Sequence, residues 1–173
     1  MEANAQANML ETRSGLSLRV RPVSSDDGAL LKAFFSKVTT DDLRFRFLSG
    51  INEVSDDQIA MMTNVDHKQT EDFLAFTDDN MLVATAMIAK DPTGKRAEVA
   101  IVVRGDYKQK GIGWTMLNHA ADYARSTGVE TLEAVESRQN EPAIGVERDF
   151  GFTVKPYDDD STLVIVTKKL TEA

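Results

Sequence analysis

The chain has 173 residues, with 20 Lys and Arg against 28 Asp and Glu, a net charge of −8 and no cysteine. Its length suits one domain, and 42% hydrophobic with 28% charged residues excludes wholesale disorder. Without cysteine, disulfides, thiolate nucleophiles and Cys-based metal sites are excluded, and the acidic balance argues against a broad nucleic-acid footprint. A local basic pocket for one phosphorylated cofactor stays open.

Residues 1–15 are mostly small or polar, Arg13 is their one basic side chain, and no sustained apolar stretch follows. Neither a secretory signal nor a membrane contact is expected, but a flexible tail over 1–15 and a single cytoplasmic domain over 16–173. Leu18 to Val23 alternates as a half-buried strand, with Pro22 marking its end or an edge. Ser24 to Asp27 offers helix caps before the apolar stripe Leu30, Leu31, Phe34 and Phe35. Thr40-Asp41-Asp42 starts a second helix, and the Ser55/Gln58 capping-box spacing a third ahead of Ile59, Met61 and Met62.

The pattern then turns to strands. Asp72 to Thr77 and Met81 to Lys90 flank the turn Asp78-Asp79-Asn80, and Arg96 to Val103 is a third strand rich in β-branched residues. A basic, glycine-containing loop, Gly105 to Gly113, leads into a strong helix pattern from Ile112 to Ser126 that Gly128 closes. A short strand Thr131 to Val135, a helix Pro142 to Phe150, and strands Phe152 to Lys155 and Thr162 to Lys168 complete the chain. One α/β domain results, ordered β, an α cluster, β-β-β, α, β, α, β-β.

The strand–loop–helix from Val99 onward carries the most chemistry. Glycines at a helix N-terminus leave backbone N–H groups pointing along the helix dipole, a compact anion site. Gly111 and Gly113 allow the main chain close to a pyrophosphate, and Lys108 and Lys110 add charge. A P-loop lacks its Gly-Lys-Ser/Thr ending, and Met116 stands where a dinucleotide fingerprint needs its third glycine.

Lys108-Gln109-Lys110-Gly111-Ile112-Gly113 instead resembles the acyl-CoA pyrophosphate loop of the GCN5-related N-acetyltransferase (GNAT) superfamily, Gln/Arg-x-x-Gly-x-Gly/Ala, with Lys108 in the place of Gln or Arg. Asn140, Ala143-Ile144 and Asp149-Phe150-Gly151-Phe152 resemble that family's later signature. Leu43 to Phe47, Thr63 to His67 and Ala97 to Val103 are most similar to the GNAT domain of bacterial protein lysine acetyltransferases. The resemblance implies the acyl-CoA N-acyltransferase fold, a mixed, mostly antiparallel central sheet flanked by helices. It also implies an enzyme that transfers the acetyl group of acetyl-CoA directly to a primary amine, a protein lysine or a small-molecule amine. No metal, nucleic acid or membrane is implied, and a homodimer is compatible with it.

The same resemblance assigns cofactor contacts to Ile101, Val102 and Val103 (main-chain donors where this strand parts from the next), Lys108 to Trp114, that is Gln109, Lys110, Gly111, Ile112 and Gly113 as well, and Asn140. Glu98 stands in the Ala-Glu context of the family's catalytic glutamate and is the candidate general base. If Val99, Ile101 and Val103 face one side of the strand, Glu98, Ala100 and Val102 face the other. Many relatives place a tyrosine, acting as an acid, four residues before the Gly-Phe pair; here Glu147 holds that place, and Tyr107, Tyr123 and Tyr157 lie elsewhere. His67, beside Asp66, is a candidate lining residue of the acceptor pocket, and His119 reads as a helix-surface or packing residue. Two alternatives use the same chain without catalysis: an inactive acyl-CoA-binding regulatory module, and an interaction protein using the fold alone.

Overall fold

The computed structural model describes residues 7–48, 50 and 53–170. Eight strands form one sheet: β1 (Asn8–Glu11), β2 (Ser17–Pro22), β3 (Thr70–Phe76), β4 (Leu82–Lys90), β5 (Arg96–Val103), β6 (Thr131–Ser137), β7 (Thr153–Pro156) and β8 (Leu163–Lys169). The helices are α1 (Gly28–Phe35), α2 (Thr40–Phe47), α3 (Asp56–Thr63), α4 (Ile112–Ser126) and α5 (Glu141–Phe150). The strand order is β1-β2-β3-β4-β5-β6-β8-β7, antiparallel throughout except between β5 and β6. This is the mixed, mostly antiparallel sheet that the family resemblance implies.

Period-2 alternation sorts each central strand between two cores. Along β3, Phe73 and Ala75 join the side of α4, while Leu74 and Phe76 join the side of α1, α2 and α3. Covered on both faces, β3 is buried from Glu71 to Phe76. On one face Leu31, Phe34, Phe35, Leu43, Ile59 and Met62 pack on Leu74, Leu82 and Val102. On the other, Ile112, Met116 and Ala120 repeat every fourth residue down α4 and seat on Val83, Val99 and Leu132.

Helix ends follow their local chemistry. Ser55 and Gln58 cap each other's amides at α3, and the Thr39 hydroxyl accepts from the Asp42 amide at α2. After α4, Gly128 at φ +97° lets its N–H reach the Arg125 carbonyl and that of Val129 the Ala124 carbonyl, a paired C-terminal closure.

The expected tail is shorter than residues 1–15. Residues 8–11 pair antiparallel with 17–20, and the turn between them is closed by Thr12, whose carbonyl accepts from Gly15 and whose hydroxyl accepts from Leu16. A four-residue edge strand has too little pattern to read from sequence, but Thr-Arg-Ser-Gly is a turn composition, with Gly15 at φ +89°. Residues 1–6 of that tail lie outside the described residues. β6 runs two residues beyond its expected end, because its outer half pairs with β8 up to Ser137.

Met116 is fully buried at the centre of α4's contact with the sheet. Met116→Ala is expected to lower the unfolding free energy by about 2–5 kcal/mol, read by urea denaturation with an unchanged slope.

Candidate active site

The parallel pairing of β5 with β6 covers only Arg96–Glu98 against Thr131–Glu133. Beyond it β6 pairs only with β8, and a gap opens toward the end of β5 that leads into the glycine loop. The direction of the main chain there follows from its neighbours. The Lys95 carbonyl accepts from Thr131 on the β6 side, whereas the Arg104 amide donates to Val83 on the β4 side. By alternation the amides of Ile101 and Val103 face the gap. Val102 does not: its amide faces β4, and its side chain is buried in the α1–α3 core.

The loop after β5 is tied down at several points. The Gly105 amide donates to the Lys37 carbonyl, and a Cβ at Gly105 would meet that oxygen at 3.0 Å, so the approach requires glycine. Arg104 Nε donates to Asp106 Oδ1 at 2.8 Å, and Lys108 Nζ to the part-buried Asp42 Oδ2 at 2.6 Å. Lys108, expected on a phosphate, is thus committed to α2, and the loop carries less available charge than its composition suggests. Gln109 is exposed at φ +63°, and Gly111, at φ +81°, is the N-cap of α4 without a side-chain cap. The first intrahelical amide bond is Thr115 to Gly111, so the amides of Ile112, Gly113 and Trp114 have no helical acceptor. Ile112's side chain is in the core, so its amide alone is available. A Cβ on Gly113 would enter open space, which leaves room for a ligand against the backbone.

The β1–β2 turn sits on this helix start. Ser14 Oγ donates to the Lys110 carbonyl at 2.8 Å, and the Arg13 guanidinium lies 3.9 Å from the centre of the Trp114 ring. Trp114 packs against Phe150 on α5 as well, with ring centres 4.8 Å apart. Among the described residues no ion pair takes up Arg13 or Lys110.

Glu98 sits at the apex of the gap, on the face of α1–α3, in register with Glu133. Its side chain is exposed, yet partial burial of the carboxyl, and then the neighbouring Glu133, raise its pKa above the usual range, opposed by Arg46. Arg96 Nη1 holds Glu133 at 2.5 Å. Arg46 reaches over β4, donating to Met87 Sδ at 3.4 Å. Burial lowers its pKa, while Asp72 and Glu98 on either side raise it. Asp72 is 1% exposed and neither of its oxygens has a hydrogen-bond partner; burial pushes it up to about 7 against the pull of Arg46. An acidic pair, Glu71-Asp72, opening the buried run into Phe73-Leu74-Ala75-Phe76 is the sequence signal for this group, and a reading of strand pattern alone passes over it.

Asn140, expected on the cofactor, donates from Nδ2 to Glu136 Oε1 at 3.4 Å. Glu136 neighbours Glu147 of α5, and burial raises both carboxyls, Glu147 most. His67 lies elsewhere. Its Nδ1 is 2.8 Å from Glu71 Oε1, and the two line a cleft of about 850 Å³ with Asn64 and Tyr123 at the far end of α4 from the glycine loop. His119 packs edge-on against Phe73, with ring centres 4.6 Å apart, and burial lowers its pKa. Among the described residues no group of acidic or His side chains has the arrangement to hold a metal, and no helix is long and apolar enough to cross a membrane.

A splayed parallel strand pair, an uncapped glycine-rich helix start and a carboxylate at the apex define an acyl-CoA-type transferase fold. The family model described as Acetyltransferase (GNAT) family matches residues 38–152, and the chain belongs to that family. Among solved structures, the GNAT domain of S. lividans PAT superposes with a TM-score of 0.87 at 24% identity, covering 94% of this chain and 96% of that one. Spermidine N-acetyltransferase from Vibrio cholerae, in complex with CoA and spermine, gives 0.71 at 14%, covering 89% and 96%. The Salmonella typhimurium protein yncA, with its cofactor acetyl-CoA, gives 0.70 at 18%, covering 90% and 95%. At these identities the likeness is one of fold.

Asp72 supplies a pH test of this electrostatic layout. Its folded pKa lies above the unfolded value of 3.8, so the native state binds the extra proton and stability falls as pH rises from about 4 to about 7. Asp72→Asn removes that slope: its stability relative to wild type should gain about 1.4 kcal/mol per pH unit in this window and level off above it, in urea titrations at fixed pH steps.

Proposed function

We propose that this chain is an acetyl-CoA-dependent N-acetyltransferase that moves the acetyl group directly to a primary amine, a protein lysine or a small amine. The observation that carries the reading is the gap between β5 and β6, running from the Gly111–Trp114 amides to Glu98. A pyrophosphate fits the helix start, where Ile112, Gly113 and Trp114 offer N–H groups, Gly111 permits the turn and Lys110 adds charge. Gln109 contributes the exposed left-handed corner of the loop. The pantetheine arm then lies in the gap as an added strand, meeting the main chain of Ile101 and Val103. One of these amides polarises the thioester carbonyl, an effect commonly about 10²–10³ in rate.

Glu98 takes the proton of the attacking amine. Its raised pKa suits a base that must hold no proton near neutrality yet accept one readily. Glu98 and Glu133 at the apex favour a cationic acceptor. With no cysteine in the chain, no thioester forms on a cysteine of the protein, and transfer is direct. Arg13 joins the cofactor contacts in this reading, since the hairpin turn places its guanidinium above Trp114 beside the helix start.

The tests separate binding from chemistry. Acetyl-CoA should raise the melting temperature, and Gly113→Asp should abolish that shift by placing a carboxylate on the helix start. Glu98→Gln should keep the shift while lowering kcat at neutral pH by about 10²-fold or more and removing the acid limb of its pH profile. Turnover unchanged across pH would overturn the base assignment. Arg13→Ala should raise the KM for acetyl-CoA about tenfold with kcat retained, one ion-pair's worth of binding. The alternative of a regulatory module draws on the commitment of Lys108 to Asp42. Binding without transfer to any of a broad amine panel would favour it.

A further inference from the structure

We infer that the cleft at the start of β3 is a second ligand site, one that takes the primary ammonium head of a small aliphatic amine. The inference is independent of the transfer reading, since it concerns binding alone. The cleft, about 850 Å³, is walled by the end of β2, the end of α3, the start of β3 and Tyr123 of α4. That volume suits a small ligand. None of its lining residues belongs to β5, β6 or the glycine loop. It also lies across the sheet from the apex. Glu71 stands two residues from Phe73 on the α4 side, whereas Glu98 stands four from Val102 on the α1–α3 side.

Glu71 defines the chemistry of the cleft. It is 6% exposed, yet it lines the wall. Its Oε1 accepts from His67 Nδ1 at 2.8 Å and from the Asp72 amide at 3.0 Å. Its Oε2 has no hydrogen-bond partner among the described residues and is not sealed from the surface, so an acceptor opens on the cleft. The segment after α3 holds this arrangement in place. His67 sits at φ +60°, and Asp66 Oδ1 accepts from the amides of Lys68, Gln69 and Thr70 beside it. With Nδ1 donating to Glu71, Nε2 of the neutral ring is a further acceptor.

The rest of the wall favours a cation. α3 ends at the cleft with Thr63 and Asn64, has no basic residue in its last turn, and leaves the negative end of its dipole there. Burial, and then the negative charges of Glu71 and Asp66, raise the pKa of Tyr123. No Lys or Arg lines the cleft or pairs with Glu71. One ammonium of the chain already approaches it: Lys90 Nζ lies 5.9 Å from the centre of the Tyr123 ring, outside the lining. Ammonium is preferred to guanidinium on geometry. A guanidinium fork uses both oxygens of a carboxylate, and Oε1 of Glu71 is already taken twice. An ammonium places one N–H on Oε2 and turns the others to Asn64 and the α3 carbonyls. Pro22, Val23 and Val65 give its methylenes an apolar wall.

The test is an NMR titration, because the chain has only two histidines and His67→Ala assigns their imidazole signals. Butylamine, 1,4-diaminobutane and butylguanidine are added, without acyl donor, to the full wild-type chain, Glu71→Gln, Asn64→Lys and Glu98→Gln. Both amines should move the His67 signals saturably in wild type, with butylguanidine about fivefold weaker. Glu71→Gln should weaken the amines about tenfold, the worth of one charged hydrogen bond. Asn64→Lys, at an exposed position, should do the same by setting an ammonium at the cleft, and it keeps the test decisive should Glu71→Gln fold poorly. Glu98→Gln should bind as wild type does. An unmoved His67 signal, or wild-type affinity in both cleft variants, overturns the inference. Butylguanidine that binds as tightly as butylamine overturns the ammonium assignment. A shift lost in Glu98→Gln but kept in Glu71→Gln puts the amine at the apex and overturns it too. Binding at His67 with no acetyl transfer to any amine supports this site while counting against the transfer reading.

Discussion

Two strands that run parallel for only three register positions, β5 and β6, set the geometry on which the rest of the site depends. Parallel strands require a crossover, and here it is α4, whose apolar stripe is pinned beneath β4 and β5. Because the crossover begins a few residues after β5 ends, its uncapped start opens toward the gap rather than away from it. The last rung of the ladder is Glu98 against Glu133, like charges side by side, an arrangement a sheet ordinarily avoids. Arg96 holds Glu133 and Arg46 moderates Glu98, so the ladder tolerates a carboxylate with a raised pKa at the point where the strands part.

The site is made of carboxyls that the fold leaves incompletely neutralised. Asp72 has no hydrogen-bond partner, Glu147 has one idle oxygen, and Glu98 has only the distant pull of Arg46. Asp72 and Glu147, both buried, are stability costs that a purely structural core would remove with apolar side chains. Their distribution is not random: Asp72, Arg46 and Glu98 lie on the α1–α3 face, Glu136 and Glu147 on the opposite one. The sheet separates the two groups, and its gap is where they come within electrostatic reach.

Much of the fold is legible in the sequence because its signals are local. Ser55/Gln58, Thr39 before α2, and Gly128 after α4 mark helix ends by chemistry that acts within one turn. The glycine loop is legible for the same reason, whereas Glu98 stands out in the sequence through the family resemblance. What escapes is non-local. β1 becomes a strand only because β2 offers it an edge, and Lys108 finds Asp42 across 66 positions of sequence. That the Val102 amide faces β4 while those of Ile101 and Val103 face the gap comes from strand alternation, which a contiguous run of three residues cannot express. Arg13 sits in what reads as a loose tail, and the approach of Glu147 to Glu136 needs α5 folded over β6 before it exists.

The Lys108–Asp42 pair also gives α2 a role that its length hides. The helix has eight residues, and Asp42 and Arg46 stand four apart, on one face. Asp42 is tied to the glycine loop at 2.6 Å, and Arg46 lies over Met87 between Asp72 and Glu98. One short helix therefore carries both the anchor of the loop and the counter-charge of the apex glutamate. A free lysine in the loop would add charge for a phosphate but leave α2 without its ion-pair tie to the glycine loop. A tethered one gives up part of that charge, and recognition of a phosphate then falls on the helix amides, Lys110 and the hairpin turn. In exchange, the position of Arg46 is set by the same contact that sets the loop, so the electrostatic setting of Glu98 and the shape of the helix start are built as one unit.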